Sequence, residues 1–363
     1  IEDNVENDLI FTGLVGIIDP PKENVDKSIA ACKKAGIKVR MITGDHLKTA
    51  AAIAREIGIL TDGKVIDGET LDKLSDEEYF EIVDDIQVYA RVKPEQKMRI
   101  VETLKQKGEI VSMTGDGVND APALKNASIG VAMGSGTDVA KESGDMIIQD
   151  DNFETIVTAI REGRKIYDNI KRFVKFQVST NVGAILTIVG TSIFMLPVPF
   201  NPVQLLWINI VMDGPPAQTL GMEGSERNIM TRKPETGDIL NKKVLIKIFI
   251  AGLVMAIGSI ALFSYKLAIG ASQKQAMTVA FTLFVMYQLF NAYNSKSNST
   301  KKSTYLYLAI IACFILQVLI VYIPELQIIF RTTSIGLTDW ILIFIIAATI
   351  LVSNRIANKI VVE

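Results

Sequence analysis

A glycine-rich segment at residues 113–124 groups two carboxylates and an amide behind a short β-branched run, in the order Met-Thr-Gly-Asp-Gly-Val-Asn-Asp-Ala-Pro-Ala-Leu. The glycines on either side of Asp116 allow a tight turn, so Asp116, Asn119 and Asp120 can converge at the end of a strand. Paired carboxylates suit a hard cation with oxygen ligands, and phosphate-bound Mg²⁺ is the expected occupant. An isolated Asp-Gly or Asn-Asp pair would indicate no more than a turn.

Two other segments supply the remaining groups of a phosphate site. Thr43, in Met-Ile-Thr-Gly-Asp, offers a hydroxyl to a phosphoryl oxygen, with Gly44 and Asp45 beside it. Lys97, in Lys-Pro-Glu-Gln-Lys, offers a positive charge to the same group. Taken singly, Thr43 is typical of a turn and Lys97 of a solvated surface. Together with the paired carboxylates they predict phosphoryl transfer, in which positioning and charge neutralisation do the catalysis.

One carboxylate, Asp213, lies deep in the apolar second half of the chain. An acid inside a membrane is costly and by default indicates an ion path. The Gly-Pro-Pro that follows predicts a broken helix, whose freed carbonyls can coordinate a cation. Asn209 precedes Asp213 by one helical turn and is expected on the same face. Asn181 is as readily a link between helices as a ligand, and Gln218 can contribute a carbonyl, control access or simply lie near a helix end.

Short β-branched runs alternate with amphipathic helical stretches over residues 1–150, which predicts a parallel, doubly wound α/β sheet. Ligands of such folds bind at the carboxyl ends of strands, where the phosphate-site residues fall. Asp45 is expected to cap a helix that ends at residue 57, before Gly58. The predicted strands are at 11–18, 38–42, 87–90, 110–113, 129–132 and 146–148.

Six apolar spans follow from about residue 171, each near the ~20 residues needed to cross a bilayer. Lysines and arginines concentrate in alternate connections, so the positive-inside rule places the first half of the chain in the cytoplasm. The stretch 155–171 is expected to form one helix that continues into the first span. The spans are near 173–196, 203–222, 244–269, 276–293, 305–323 and 340–356.

The formal net charge of -2 conceals a division of the chain. Residues 1–168 contain 21 Lys and Arg against 32 Asp and Glu, whereas residues 169–363 contain 17 against 8. The acidic part repels phosphate backbones, which excludes a general nucleic-acid binder. Two lone cysteines and one histidine offer neither a disulfide framework nor a zinc cluster. We expect an acidic α/β domain at 1–154, a connecting helix at 155–172 and a six-helix membrane domain at 173–363.

These segments resemble the phosphorylation domain of P-type cation-transporting ATPases, within the haloacid dehalogenase-like superfamily. The matching motifs keep the family's order and spacing, at 19–22, 41–45, 93–97, 114–122 and 133–138. The resemblance implies ATP and Mg²⁺ as cofactors. It assigns Asp116 to Mg²⁺, with Asn119 and Asp120 assisting. It assigns Thr43 and Lys97 to the phosphoryl group. Asp45 and Asp19 are assigned to the nucleotide and hinge side of the site.

One departure matters, because the family forms an aspartyl-phosphate in a DKTGT motif that this sequence does not contain. Asp45 and Asp116 match other motifs and do not replace it. The resemblance therefore implies that the nucleophile, the nucleotide-binding and actuator domains and four membrane helices precede residue 1. We expect the C-terminal part of an ATP-driven divalent-cation pump, inactive alone, and a multi-pass membrane protein with its phosphorylation domain cytoplasmic, in the plasma membrane if bacterial. The alternative is a membrane-tethered phosphatase of the same superfamily, which would need its own nucleophile.

The run Met-Asp-Gly-Pro-Pro-Ala-Gln at 212–218 is most similar to secretory-pathway calcium/manganese pumps and related bacterial calcium pumps. Two-calcium pumps have a Glu where this chain has Ala184 and a hydroxyl where it has Met212. They also have an acid near the end of the eighth helix, where residues 295–299 offer none. The resemblance implies one divalent cation per cycle, Ca²⁺ in preference to Mn²⁺, held by Asn209, Asp213 and a Glu on the missing fourth helix.

Overall fold

The computed structural model describes residues 10–16, 20–235, 237–299 and 303–353. The chain divides into two compact units, Ile1–Thr158 and Ala159–Glu363. Asp19, residues 17 and 18 of the first predicted strand, and residues 354–356 of the last predicted span lie outside the described residues.

The first unit contains six strands in two parallel three-stranded sheets, with strand orders β1-β3-β2 and β4-β5-β6. The predicted parallel α/β architecture is confirmed. The strands are β1 (Met41–Ile42), β2 (Lys64–Asp67), β3 (Ile86–Ala90), β4 (Ser112–Gly115), β5 (Ile129–Met133) and β6 (Met146–Ile148).

Two predictions are therefore wrong for the described residues. The strands form two sheets and not a single doubly wound sheet, and residues 11–16 do not form a strand. That segment has no regular structure, and Leu14 and Val15 are each 91% exposed. Apolar composition alone does not make a strand, because a strand needs a neighbour to pair with. The sequence reading also missed β2, whose four residues carry one buried side chain, Ile66.

Seven helices of the first unit cover the sheets with buried aliphatic side chains. The second helix is capped by His46, whose Nδ1 accepts from the Lys48 N–H at 3.2 Å, and not by Asp45. The helix ends before Gly58, which has a φ of 77° that favours glycine. The helices are α1 (Val25–Lys34), α2 (Leu47–Glu56), α3 (Gly68–Lys73), α4 (Asp76–Ile82), α5 (Pro94–Gln106), α6 (Ala121–Asn126) and α7 (Asp138–Ser143).

The eighth helix, α8, is continuous over Phe153–Ile193, so the predicted helix at 155–171 does continue into the first span. The second unit is otherwise all helical. Its remaining elements are α9 (Pro202–Trp207), a π-helix (Ile208–Met212), α10 (Gly214–Gly221), α11 (Lys242–Ala268), α12 (Gln273–Asn294), α13 (Thr304–Tyr322), α14 (Pro324–Phe330) and α15 (Leu337–Ala348).

Four described helices, α8, α11, α12 and α13, are long and apolar enough to cross a membrane. The second predicted span is divided among α9, the π-helix and α10, and the sixth contains the shorter apolar α15. In α12, 83% of the apolar 18-residue stretch that could cross a membrane is buried, against 28–33% in the other three helices. It is therefore the central helix of the second unit, and polar groups on it are enclosed by protein.

Candidate functional site

Thr43 follows directly from β1 and is fixed to the neighbouring strand. Its N–H donates to the Tyr89 carbonyl of β3 at 2.9 Å, and its own carbonyl accepts from Val92 at 3.2 Å. The hydroxyl accepts from the Asp45 N–H at 3.1 Å and donates to Asp45 Oδ2 at 2.9 Å. The Asp45 carboxylate is thus held by Thr43, which explains why it does not cap α2.

Lys97 lies in the first turn of α5, which begins shortly after β3. Its Nζ lies 2.5 Å from Asp120 Oδ1, and both side chains are largely enclosed, at 17% and 10% exposed. The other oxygen, Asp120 Oδ2, accepts from the N–H groups of Asp116 and Gly117 at 3.3 and 3.2 Å. Asp120 therefore joins α5 to the loop after β4, with both oxygens already engaged.

Asp116 and Asn119 are exposed at the carboxyl end of β4. Among the described residues, no group of three or more His, Cys, Asp or Glu is arranged to hold a metal. An exposed carboxylate and amide suit Mg²⁺ better than they suit an ion that protein ligands surround completely. Mg²⁺ keeps several waters and binds through one or two carboxylates plus phosphate oxygens. The assignment of Asp120 as a second metal ligand stays a prediction.

The segment 133–138 supports the Asp116 loop from the side. The Thr137 N–H donates to the Asp116 carbonyl at 2.8 Å, and a Cβ at Gly136 would lie 2.9 Å from the same oxygen. Ser135 holds the pKa of Asp151 below its usual range by hydrogen bonding to that carboxylate. Lys22, from the motif at 19–22, donates to the Asp151 carbonyl at 3.0 Å. Both motifs therefore contribute to positioning the loop.

Asp213 is 1% exposed and lies between the π-helix and α10. Its N–H donates to the Ile208 carbonyl at 3.0 Å, a bond to the fifth preceding residue. The interruption thus comes before Asp213 and not after it, since prolines 215 and 216 fit the first turn of α10, where N–H groups need no helical partner.

The two prolines nevertheless free a carbonyl as predicted. The donors that Val211 would meet four and five residues later are Pro215 and Pro216, which have no N–H. Instead the thiol of Cys313, on α13, donates to the Val211 carbonyl with Sγ 3.7 Å away. A peptide oxygen with only a weak donor therefore lies two residues from Asp213.

Three other residues predicted for the cation site are exposed in the second unit, namely Asn209, Asn181 and Gln218. Asn209 is exposed whereas Asp213 is buried, so the two side chains differ in burial among the described residues. That they share a face of the helix stays a prediction. Ala184 and Met212 are buried in one apolar cluster.

Gln288 was missed by the sequence reading. It lies on α12, is 0% exposed, and its Nε2 donates to Asp213 Oδ1 at 2.9 Å. The available signal was a pair of amides, Gln288 and Asn291, inside the apolar span 276–293. The position that the resemblance implies for an eighth-helix acid, residues 295–299, lies beyond Asn294, the last residue of α12.

Two family models match the chain. Residues 3–128 match the haloacid dehalogenase-like hydrolases, and residues 197–360 match the C-terminus of cation transporting ATPases. The chain belongs to the cation-transporting ATPases.

The relatives of this cation-transporting ATPase chain include a "Calcium-transporting ATPase" of Bacillus subtilis, 42% identical over 94% of the chain. "Calcium-transporting ATPase type 2C member 1" of Homo sapiens is 38% identical over 97% of it. "Calcium-transporting ATPase 1" of Saccharomyces cerevisiae is 40% identical over 98%. The chain spans about 40% of the length of these proteins, at 40%, 40% and 39%.

Charged residues near the start of the first span form ion pairs with the connection between α10 and α11. Asp168 accepts from Arg232 at 2.6 Å, Lys171 donates to Glu235 at 2.5 Å, and Arg172 pairs with Glu226. These ion pairs fix that connection to α8.

Gly115→Ala is expected to disable the candidate phosphate site. A Cβ at Gly115 would lie 2.5 Å from Asp120 Cβ and 2.7 Å from its Cγ, so Asp120 must move and the Lys97 pair must break. A displacement of about 1 Å in such a site can cost about a hundredfold in rate. ATP-dependent phosphorylation of the intact protein measures this.

Gly117→Ala is the matched control for that change. Its Cβ would lie 3.6 Å from Asp120 Oδ2, an ordinary contact, and Gly117 has a φ of -98° that alanine adopts. Equal phosphorylation in the two variants would show that the packing of Asp120 against Gly115 does not matter.

Proposed function

We propose that the chain is the phosphorylation-domain and membrane part of an ATP-driven calcium pump. The observation that carries this proposal is the presence of two different sites in one chain. Lys97, Asp116 and Asp120 form a phosphate-type site in the first unit, and a buried carboxylate, Asp213, lies at a helix irregularity in the second. A passive channel would need only the second.

In the phosphate site, each side chain has a separate task. Asp116 and Asn119 hold Mg²⁺, which supplies charge neutralisation at the phosphoryl oxygens. The Thr43 hydroxyl and the Lys97 ammonium bind those oxygens directly. Asp120 positions Lys97 and the Asp116 loop through contacts that already exist without substrate. Asp45 and Asp19 shape the nucleotide side, where ATP binds.

The transported cation binds at Asp213. Its carboxylate, the freed Val211 carbonyl and the exposed amides of Asn209 and Asn181 offer the hard oxygen ligands that Ca²⁺ takes. Gln218 controls access from the end of α10. Ca²⁺ is proposed over Mn²⁺ because the three relatives above carry calcium in their printed names, although both ions accept oxygen ligands.

The intact pump crosses the membrane several times and keeps residues 1–154 in the cytoplasm. The distribution of lysine and arginine supports this orientation, and a bacterial pump of this type would lie in the plasma membrane. The exposed Asn209 and Asn181 are proposed to face helices supplied by the rest of the pump, whose relatives are more than twice as long. Phosphorylation would be relayed to Asp213 through α8, which begins in one unit and ends in the other.

Transport by the intact protein in sealed vesicles tests the proposal. ATP with Mg²⁺ should drive ⁴⁵Ca²⁺ into vesicles, and either component alone should not. Residues 1–363 by themselves should form no acid-stable phosphoprotein, because they contain no DKTGT motif. Cation-independent hydrolysis of small phosphate esters without transport would favour the tethered phosphatase, and labelling of an aspartate within the chain would contradict the assignment of the nucleophile elsewhere.

A further inference from the structure

Asp213 and Gln288 form an isolated polar pair inside the second unit. Both side chains are almost fully enclosed, at 1% and 0% exposed, and Gln288 Nε2 donates to Asp213 Oδ1 at 2.9 Å. A carboxylate is stabilised in its ionised form by such a donor. The pair therefore links the Gln288 amide directly to the Asp213 carboxylate.

The other end of the same amide has no partner. Gln288 Oε1 is buried and accepts no hydrogen bond from the described residues. An enclosed acceptor without a donor is unfavourable, and native proteins keep few of them. The unpaired Oε1 of an amide that binds a carboxylate marks a position where a ligand can supply the missing partner.

We propose that the Gln288 amide is a two-position switch that responds to occupancy of Asp213, an inference that rests on the proposed cation site. Rotation about the last side-chain bond exchanges Nε2 and Oε1. When Nε2 points to Asp213, its N–H neutralises part of the carboxylate charge. When Oε1 points to Asp213, the amide oxygen faces a carboxylate oxygen, and this arrangement is favourable only when a cation lies between the two oxygens.

This arrangement makes cation binding an exchange. The arriving cation displaces the amide N–H from Asp213 and gains the amide oxygen in return, so neither state leaves the carboxylate bare. The Val211 carbonyl, which lacks a helical donor, is on the same turn as Asp213. Among the described groups, Cys313 on α13 is the titratable side chain that interacts electrostatically with Asp213, and Gln288 is the polar contact from α12.

Three variants of the intact pump test the switch, with half-saturating Ca²⁺ measured at pH 6 and pH 8. Gln288→Met removes both donor and oxygen and should raise half-saturating Ca²⁺ about tenfold at each pH. Gln288→Glu keeps an oxygen but no donor. It should bind Ca²⁺ at least as well as wild type at pH 8 and about tenfold or more worse at pH 6, because two adjacent carboxylates must share a proton that the cation displaces.

Gln317→Met is the matched control. Gln317, on α13, is also 0% exposed with a buried unpaired Oε1, but its Nε2 donates to Thr282 at 3.2 Å and not to Asp213. It should leave half-saturating Ca²⁺ within about twofold of wild type at both pH values. The ratio between the two pH values is measured within one preparation, so it does not depend on how much protein folds.

The results separate the possible roles of Gln288. If Gln288→Glu weakens Ca²⁺ binding equally at pH 6 and pH 8, the amide acts only as a donor and the switch is wrong. If Gln288→Met changes nothing, the pair has no part in cation binding. If Asp213→Asn leaves calcium dependence intact, the proposed cation site itself fails, whatever the Gln288 variants do.

Discussion

Asp213→Asn should abolish calcium-stimulated phosphorylation of the intact pump by ATP. The amide has the shape of the carboxylate and its oxygen can still accept from Gln288 Nε2, which now reaches Asp213 Oδ1 at 2.9 Å. The change therefore removes charge with little loss of packing. Removing one partner of a buried charge pair costs about 3–5 kcal/mol, which corresponds to more than about a hundredfold in cation affinity.

Glu325→Gln is the control for the loss of one carboxylate, since Glu325 lies exposed on α14. It should leave the calcium dependence unchanged. The Asp213→Asn protein should also keep Mg²⁺-dependent nucleotide binding, because the groups of the phosphate site are untouched. Calcium-stimulated turnover that survives in Asp213→Asn would mean that the cation binds elsewhere.

The phosphate site could be predicted from sequence because its chemistry is local. Thr43, Asp45 and Asp116 each follow a strand by one to three residues, and parallel strands bring such positions to one edge. The loop geometry could not be predicted. The contacts of the Asp120 oxygens with Lys97 and with the N–H groups of the loop depend on how α5 packs beside β4, and the role of Asp120 at a metal stays a prediction.

The surroundings of Asp213 were predicted less completely because they depend on contacts between helices. Asp213 was found by its cost in an apolar span. Its partner Gln288 lies 75 residues away along the chain, and no periodicity links the two. The irregularity before Asp213 was not predicted, because no composition signal at Ile208–Met212 distinguishes a π-helix from an ordinary α-helical turn.

The fold shows the same contrast. Helical periodicity located α2 and the long α8, whereas the short β2 and the pairing of strands into two sheets were not found. Strand pairing is decided by neighbours that are distant in sequence, and the exposed residues 11–16 show that a β-branched run without a neighbour stays unpaired.

A buried ion pair between α11 and α15 supplies the second large effect. Lys266 Nζ lies 2.8 Å from Asp339 Oδ1, and the two side chains are 9% and 7% exposed. Lys266→Met should destabilise the second unit by about 3–5 kcal/mol, because it leaves the Asp339 charge enclosed without a partner. Asp339→Leu should do the same by stranding the lysine. Thermal unfolding of the detergent-solubilised protein measures both.

The double variant Lys266→Met/Asp339→Leu distinguishes a pair from two independent residues. Replacing both members of a buried ion pair by apolar side chains of similar volume is often neutral or stabilising, so the double variant should unfold at or above the wild-type temperature. Losses that simply add would show that the contact carries no coupling. Recovery would mean that the pair is retained for specificity, since a lysine in α11 and an acid in the first turn of α15 satisfy each other in one register of these two helices.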